Sequence, residues 1–247
     1  MKKTLIALMA LAGVAMADLT PTQTIYGNDT LTLNEELSSF TGGITVVAKL
    51  DVDTFKSYMT GVKTMPTTLI NVICHRNDNA QGDVGVRSYT DNSKTGLCGT
   101  WNGGGTYNFN MGAGVLNAQN EDFWTNVTGV SLTFISKLND GVASGSGSTE
   151  DKGCTALLTL QKSVDGVDAY SYYGGQWYDG LFSSKFDGVN SITFDDVVLG
   201  AQIYYSGVTV AEAKTLGISG INAIPEPATA TLSLLALAGL AARRRRK

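Results

Sequence analysis

The sequence predicts an all-β body, a sandwich or a barrel, and three observations lead there. Short runs rich in Val, Ile, Thr and Tyr recur along the chain with glycine and small polar residues between them, the punctuation of strands. Asp165-Gly166 lies between two such runs, and this dipeptide favours the positive φ of a tight hairpin turn. Only one stretch, beginning at Thr209, carries a helix-initiation signal.

Taken in order, the chain opens with the positive Met1-Lys2-Lys3 and a mostly apolar run over 4–16. Ala15-Met16-Ala17 then places small side chains, Ala15 and Ala17, at the two positions a signal peptidase reads, so residues 1–17 are expected to be a signal peptide removed before Asp18. In the body, Gly42-Gly43 precedes a β-branched strand over 44–52, and further strands are expected at 67–74, 83–89 and 97–101. The run 130–137 alternates in part, as a half-buried strand does; 156–161 and 167–173 flank Asp165-Gly166, and 191–194 and 197–205 complete the set. Gly103-Gly104-Gly105 and the Gly/Ser run at 143–148 read as connectors. The first is followed by no Lys-Ser/Thr pair and opens no helix, which argues against a phosphate cradle. Thr209-Val210-Ala211-Glu212 fits a capping box, and the short helix it starts is expected to stop at Gly217.

The last segment, 224–247, has a different physics. Pro225-Glu226-Pro227 cannot sit comfortably inside a helix and is expected to be extended. The apolar run 228–242 follows, and Arg243, Arg244, Arg245, Arg246 and Lys247 end the chain. As a helix the run is roughly 22 Å long, short of a hydrocarbon core of about 30 Å, so it suits a transient transmembrane hold better than a permanent anchor. The terminal cations are expected to stay on the cytoplasmic side. This order of tripeptide, apolar run and basic end resembles the PEP-CTERM sorting signal of exported proteins in Gram-negative bacteria. The resemblance implies an inner-membrane intermediate, recognition of Pro225-Glu226-Pro227 by the membrane protease exosortase, and a final place at the cell surface or outside the cell. It reports an address, not an activity.

Setting both ends aside changes the charge. Lys2, Lys3 and the five terminal cations account for seven of the 18 basic residues, and Glu226 for one of the 22 acidic ones, so the body 18–223 carries about −10. A body that acidic is unsuited to a nucleic-acid partner. Its size is that of one domain with a real core. Cys74, Cys98 and Cys154 allow at most one internal disulfide; Cys74 with Cys98 closes the shorter loop and is the expected pair. The single histidine, His75, leaves these cysteines without the spacings of a structural zinc site.

Catalytic signatures are missing from the pattern. Jelly-roll glycosidases of the laminarinase type carry Glu-x-Asp-x-x-Glu on one strand, which sets both carboxylates on one face, and no such triplet occurs here. Glu35-Glu36, Glu121-Asp122, Glu150-Asp151 and Asp195-Asp196 are adjacent pairs that read as solvated surface charge, although Asp195-Asp196 beside a strand could contribute to a calcium site. Any Ser-His-Asp or Cys-His arrangement would need His75, whose neighbour Cys74 points to the opposite face of an extended strand. Recognition has a better candidate. Tyr170, Tyr172, Tyr173 and Phe182 surround Trp177-Tyr178-Asp179, where rings can stack on sugars and a carboxylate can accept their hydroxyls; the competing reading is that these rings fill the core.

Val198-Leu199-Gly200-Ala201-Gln202-Ile203-Tyr204-Tyr205, followed by Val208-Thr209-Val210-Ala211-Glu212-Ala213, is similar to the ending of LamG-like, concanavalin A-like domains. The run from Phe40 to Leu50, leading to Thr68-Leu69-Ile70-Asn71-Val72, is similar to that family's opening strands. The resemblance implies a two-sheet antiparallel jelly roll of the kind often used to bind glycans. The expected molecule is an exported, non-catalytic glycan binder in three parts, 1–17, 18–223 and 224–247; a secreted polysaccharide hydrolase or lyase is the alternative.

Overall fold

The computed structural model describes residues 19–32, 43–76, 81–91, 94–102, 106–110, 120–137, 154–163, 167–175 and 186–225. The strands are β1 (Gln23–Tyr26), β2 (Leu31–Thr32), β3 (Gly43–Leu50), β4 (Thr68–Arg76), β5 (Gln81–Asp91), β6 (Lys94–Asn102), β7 (Thr106–Asn110), β8 (Val127–Lys137), β9 (Cys154–Ser163), β10 (Val167–Gly175), β11 (Phe186–Phe194) and β12 (Val198–Tyr204). Among the described residues two helices, α1 (Val52–Met59) and α2 (Val210–Ala223), accompany them, with one 3-10 turn at Glu121–Trp124.

The strands form two six-stranded antiparallel sheets, ordered β1-β12-β3-β8-β9-β10 and β2-β11-β4-β5-β6-β7. The pairing of β12 with β3 in one sheet is echoed by β11 with β4 in the other, so the end of the chain folds back alongside its beginning in both layers. That nested return is how a jelly roll closes its strands into two facing sheets, as expected from the sequence. The hairpin expected around Asp165-Gly166 is formed by β9 and β10, with Ser163 opposite Val167; the turn itself lies outside the described residues.

Strict alternation builds the core. On β3, Ile44, Val46, Ala48 and Leu50 point into the space between the sheets, where they join Val130, Leu132 and Phe134 of β8, Leu158 and Leu160 of β9, and Ile70 and Val72 of β4. Each of these buried side chains larger than alanine contributes roughly 1.5–3 kcal/mol. The intervening residues of β3 are buried too, because α2 covers the other face of the first sheet: Val47, Ile135, Leu157 and Tyr204 pack against Val210, Ala213 and Leu216. The first sheet is therefore a middle layer.

Two sequence expectations are corrected. The strand predicted over 44–52 ends at Leu50, because the Asp51 carboxylate accepts from the Thr54 amide, 2.8 Å, and caps α1. Phe55 and Met59, one helical turn apart, are the buried stripe of this helix. At the other end, α2 does not stop at Gly217. Its predicted capping box is present, with the Glu212 carboxylate accepting from the Thr209 amide at 2.7 Å, but the helix continues to Ala223. Gly217 serves close packing instead: a Cβ there would lie 2.5 Å from Thr159 Oγ1. Gly220 is used in the same way, against Val47 Cγ1 at 2.6 Å.

Candidate functional site at the end of the body

The outer face of the first sheet can be read in rungs from the strand register. Tyr204, Thr45 and Ile135 are aligned across β12, β3 and β8. Gln202, Val47, Thr133 and Leu157 form the next rung, and Gly200, Lys49, Ser131 and Thr159 the one after. Moving along α2, the floor changes from largely apolar to mixed. Val210, Ala213 and Leu216 rest on the apolar part, whereas 217–224 lies over Ser131, Thr159 and Lys49 together with Val47 and the bare glycines Gly129 and Gly200.

Polar groups stitch the helix down. Thr45 Oγ1 donates to the Ser206 carbonyl, 2.6 Å, and accepts from the Val208 amide, 3.2 Å, which fixes the turn between β12 and α2. Ser131 Oγ donates to the Gly217 carbonyl at 2.8 Å. At the end, Lys49, only 7% exposed, donates from Nζ to the carbonyl of Ile224 at 2.7 Å. Burial of an ammonium requires such a partner, and a helix C-terminus is a favourable place for a cation. Ile224 is fully buried, and its Cγ2 fills the space above Gly200 where a Cβ would come within 2.8 Å; Ile221 fills the space above Gly129 in the same manner. The next residue, Pro225, is exposed. The proline-glutamate-proline segment thus begins immediately after Ile224, the last residue that the body holds.

The other residues singled out from the sequence are distributed as follows. Glu226, Pro227 and Arg243 to Arg246 lie outside the described residues, as do Ala15, Ala17, Trp177, Tyr178 and Asp179. Backbone register sets Tyr170 and Tyr172 opposite Leu160 and Leu158, whose own side chains belong to the core between the sheets. Trp124 is a core residue, edge-on to Phe55 at 5.9 Å and to Phe123 at 5.7 Å. The expected Cys74–Cys98 disulfide is corrected by the register. Cys74 on β4 is opposite Gly82 of β5, whereas Cys98 on β6 is opposite Arg87, with β5 between the two strands. Five positions along the strands and two strand spacings separate them by roughly 19 Å, far beyond the Cα separation of about 4.4–6.8 Å that a disulfide spans.

The Asp195-Asp196 pair is engaged locally. Asp195 accepts from the Val197 amide at 3.0 Å, and Asp196 accepts from the Asn28 side chain. Among the described residues no three His, Cys, Asp or Glu side chains converge on a metal position. Both carboxylates influence Tyr58, whose hydroxyl is raised above its ordinary pKa first by burial and then by the two negative charges. Sequence reasoning missed Lys49 and Ile224. The available signal was a lone lysine inside the otherwise apolar Ile44-Thr45-Val46-Val47-Ala48-Lys49-Leu50.

Fold and site together define a two-layer antiparallel β body, covered on one side by a helix that ends where a sorting segment begins. Residues 223–247 match the PEP-CTERM protein-sorting motif, which marks the chain for export to a surface or extracellular destination. Among the described residues no helix is long and apolar enough to cross a membrane; the run 228–242 lies outside them. The chain matches no curated protein in sequence. Among solved structures it is similar to the CBM40 of the Ruminococcus gnavus IT-sialidase, at 12% identity over 81% of this chain and 98% of that one, with a TM-score of 0.32. The same CBM40 bound to α2,3-sialyllactose gives 12% identity over 80% and 99% of the two chains, with a TM-score of 0.31. A leech intramolecular trans-sialidase complexed with 2,7-anhydro-Neu5Ac gives 13% identity over 82% of this chain and 28% of that one, TM-score 0.32.

Proposed function

We propose that this chain is a cell-surface or matrix protein of a Gram-negative bacterium, delivered through an inner-membrane intermediate, whose non-catalytic jelly roll binds glycan. One observation carries the delivery half: the sorting motif over 223–247 starts at the residue where the folded body ends. Signal peptidase acts after Ala15-Met16-Ala17, and exosortase recognises Pro225-Glu226-Pro227 while the apolar run and Arg243 to Arg246 hold the tail in the bilayer. Glycan recognition is assigned to Trp177, Tyr178 and Asp179 on sequence chemistry, rings for the apolar faces of sugars and a carboxylate for their hydroxyls.

Two experiments test the two halves. The full chain and a variant with Pro225→Ala, Glu226→Gln and Pro227→Ala are expressed in a host that sorts such proteins. The parent is expected outside the inner membrane with its tail removed, and the variant is expected to remain there intact; equal processing of both rejects the delivery half. For the second half, a glycan array is expected to show binding without product formation, with affinity at least tenfold lower in Trp177→Ala. Unchanged affinity in a folded variant rejects the platform, and carboxylate-dependent turnover of a polysaccharide would establish a hydrolase or lyase instead.

A further inference from the structure

We propose that Lys49 is a positioning residue for tail processing, acting as a latch that sets how far the sorting tripeptide can reach from the body. The inference rests on the delivery half of the function proposed above. With the latch closed, the Lys49 ammonium holds the Ile224 carbonyl, and Ile224 sits in the hollow above Gly200. Only residues 225–227 then separate the body from the apolar run, and three residues span at most about 10 Å. A membrane protease has to reach an extended backbone inside that gap, between the folded body and the lipid.

The terminal part of α2 is built to come away without the rest. Gly217 and Gly220 are poor helix formers in this position, and the polar Ser131, Thr159 and Lys49 interrupt the floor beneath, so the apolar contacts that oppose lifting reduce to Ile221, Ile224 and Val47. Thr159, beneath Gly217, carries a buried hydroxyl without a hydrogen-bond partner among the described residues, and it gains water when the helix lifts. Residues 210–216, in contrast, are fixed by the capping box and by the apolar cluster around Leu157. Opening 217–224 therefore leaves the first two turns docked and adds up to about 27 Å of chain. Lys49 is the group whose bond closes that segment at its far end.

The test uses the full chain, purified in detergent for hydrogen exchange and expressed in a sorting host for pulse–chase. Lys49→Met is expected to speed amide exchange at Ile221 to Ile224 at least tenfold while Ala213 and the β12 amides keep their protection. It is also expected to shorten the half-life of the uncut tail severalfold. Lys49→Arg, which keeps a donor at the same carbonyl, is expected to restore both. Exchange in Lys49→Met that matches the parent, or that rises equally throughout α2 and β12, overturns the latch, and so does a tail half-life that is unchanged or longer. The tripeptide variant described above is the separate control: if its tail is cut as fast as the parent's, the delivery reading fails whatever the exchange data show.

Discussion

Gly217 lies so close to Thr159 that a methyl group on its Cα would stand 2.5 Å from the threonine Oγ1. In an exposed helix interior, Gly→Ala stabilises by about 1 kcal/mol. Here, forcing an atom into a packed interface destabilises by about 1–3 kcal/mol, so the steric effect outweighs propensity. Gly217→Ala is expected to lower stability by about 1–2 kcal/mol in urea unfolding. Adding Thr159→Ala, which removes the obstructing oxygen, should recover much of the loss, because neighbouring changes of this kind do not add. A stabilised single variant would refute the packing account.

Thr133 offers the opposite experiment. Its hydroxyl is buried under α2 with no hydrogen-bond partner among the described residues, and a buried orphan of this kind destabilises by about 1–3 kcal/mol. Thr133→Val keeps the branched shape and removes the orphan, so a gain of about 1 kcal/mol is expected from the urea midpoint. A loss would mean that the hydroxyl is satisfied in solution.

The capping box can be tested at its hydroxyl. Thr209 Oγ1 accepts from the Glu212 amide at 3.2 Å, and the Glu212 carboxylate returns a bond to the Thr209 amide. Thr209→Ala should destabilise by about 1 kcal/mol. The accompanying rise in hydrogen exchange is expected at the first-turn amides of α2; a rise confined to the Ile224 end would contradict the assignment.

Alkaline stability should depend on Tyr58. Its hydroxyl is raised above the ordinary 10.0 by burial and by Asp195 and Asp196, so the folded state holds that proton more tightly than the unfolded state. The contribution is intact below pH 10 and is lost as pH rises through the folded value. Tyr58→Phe should therefore show a shallower fall in stability above pH 10 than the parent, measured by urea midpoints against pH. Parallel curves for the two proteins would rule the linkage out.

The sequence makes the layers legible because alternation is a local property. β8, β9 and β12 lie where runs of apolar and β-branched residues put them, and the capping box of α2 could be read from four residues. What escaped depends on partners far along the chain. Val52 extends an apolar, β-branched run, and nothing local separates it from β3 except the capping role of Asp51. Gly217 resembles a stop signal until Thr159, brought in from β9, explains the need for a bare Cα. The cysteine pairing failed for a related reason: loop length ranks pairs by entropy, whereas strand register fixes the distance. Lys49 was visible as an oddity in its strand, but its partner is 175 positions away.

Leu19, the first described residue, packs into the apolar cluster beneath the start of α2, while Ile224 closes the far end of the same helix. Fourteen helical residues separate these two exits by only about 21 Å, and both lie on the covered side of the first sheet. Both ends of the described body therefore leave it along one flank, like two straps sewn to the same side of a bag. The sheet from β2 to β7 is left on the far side of the body from both exits.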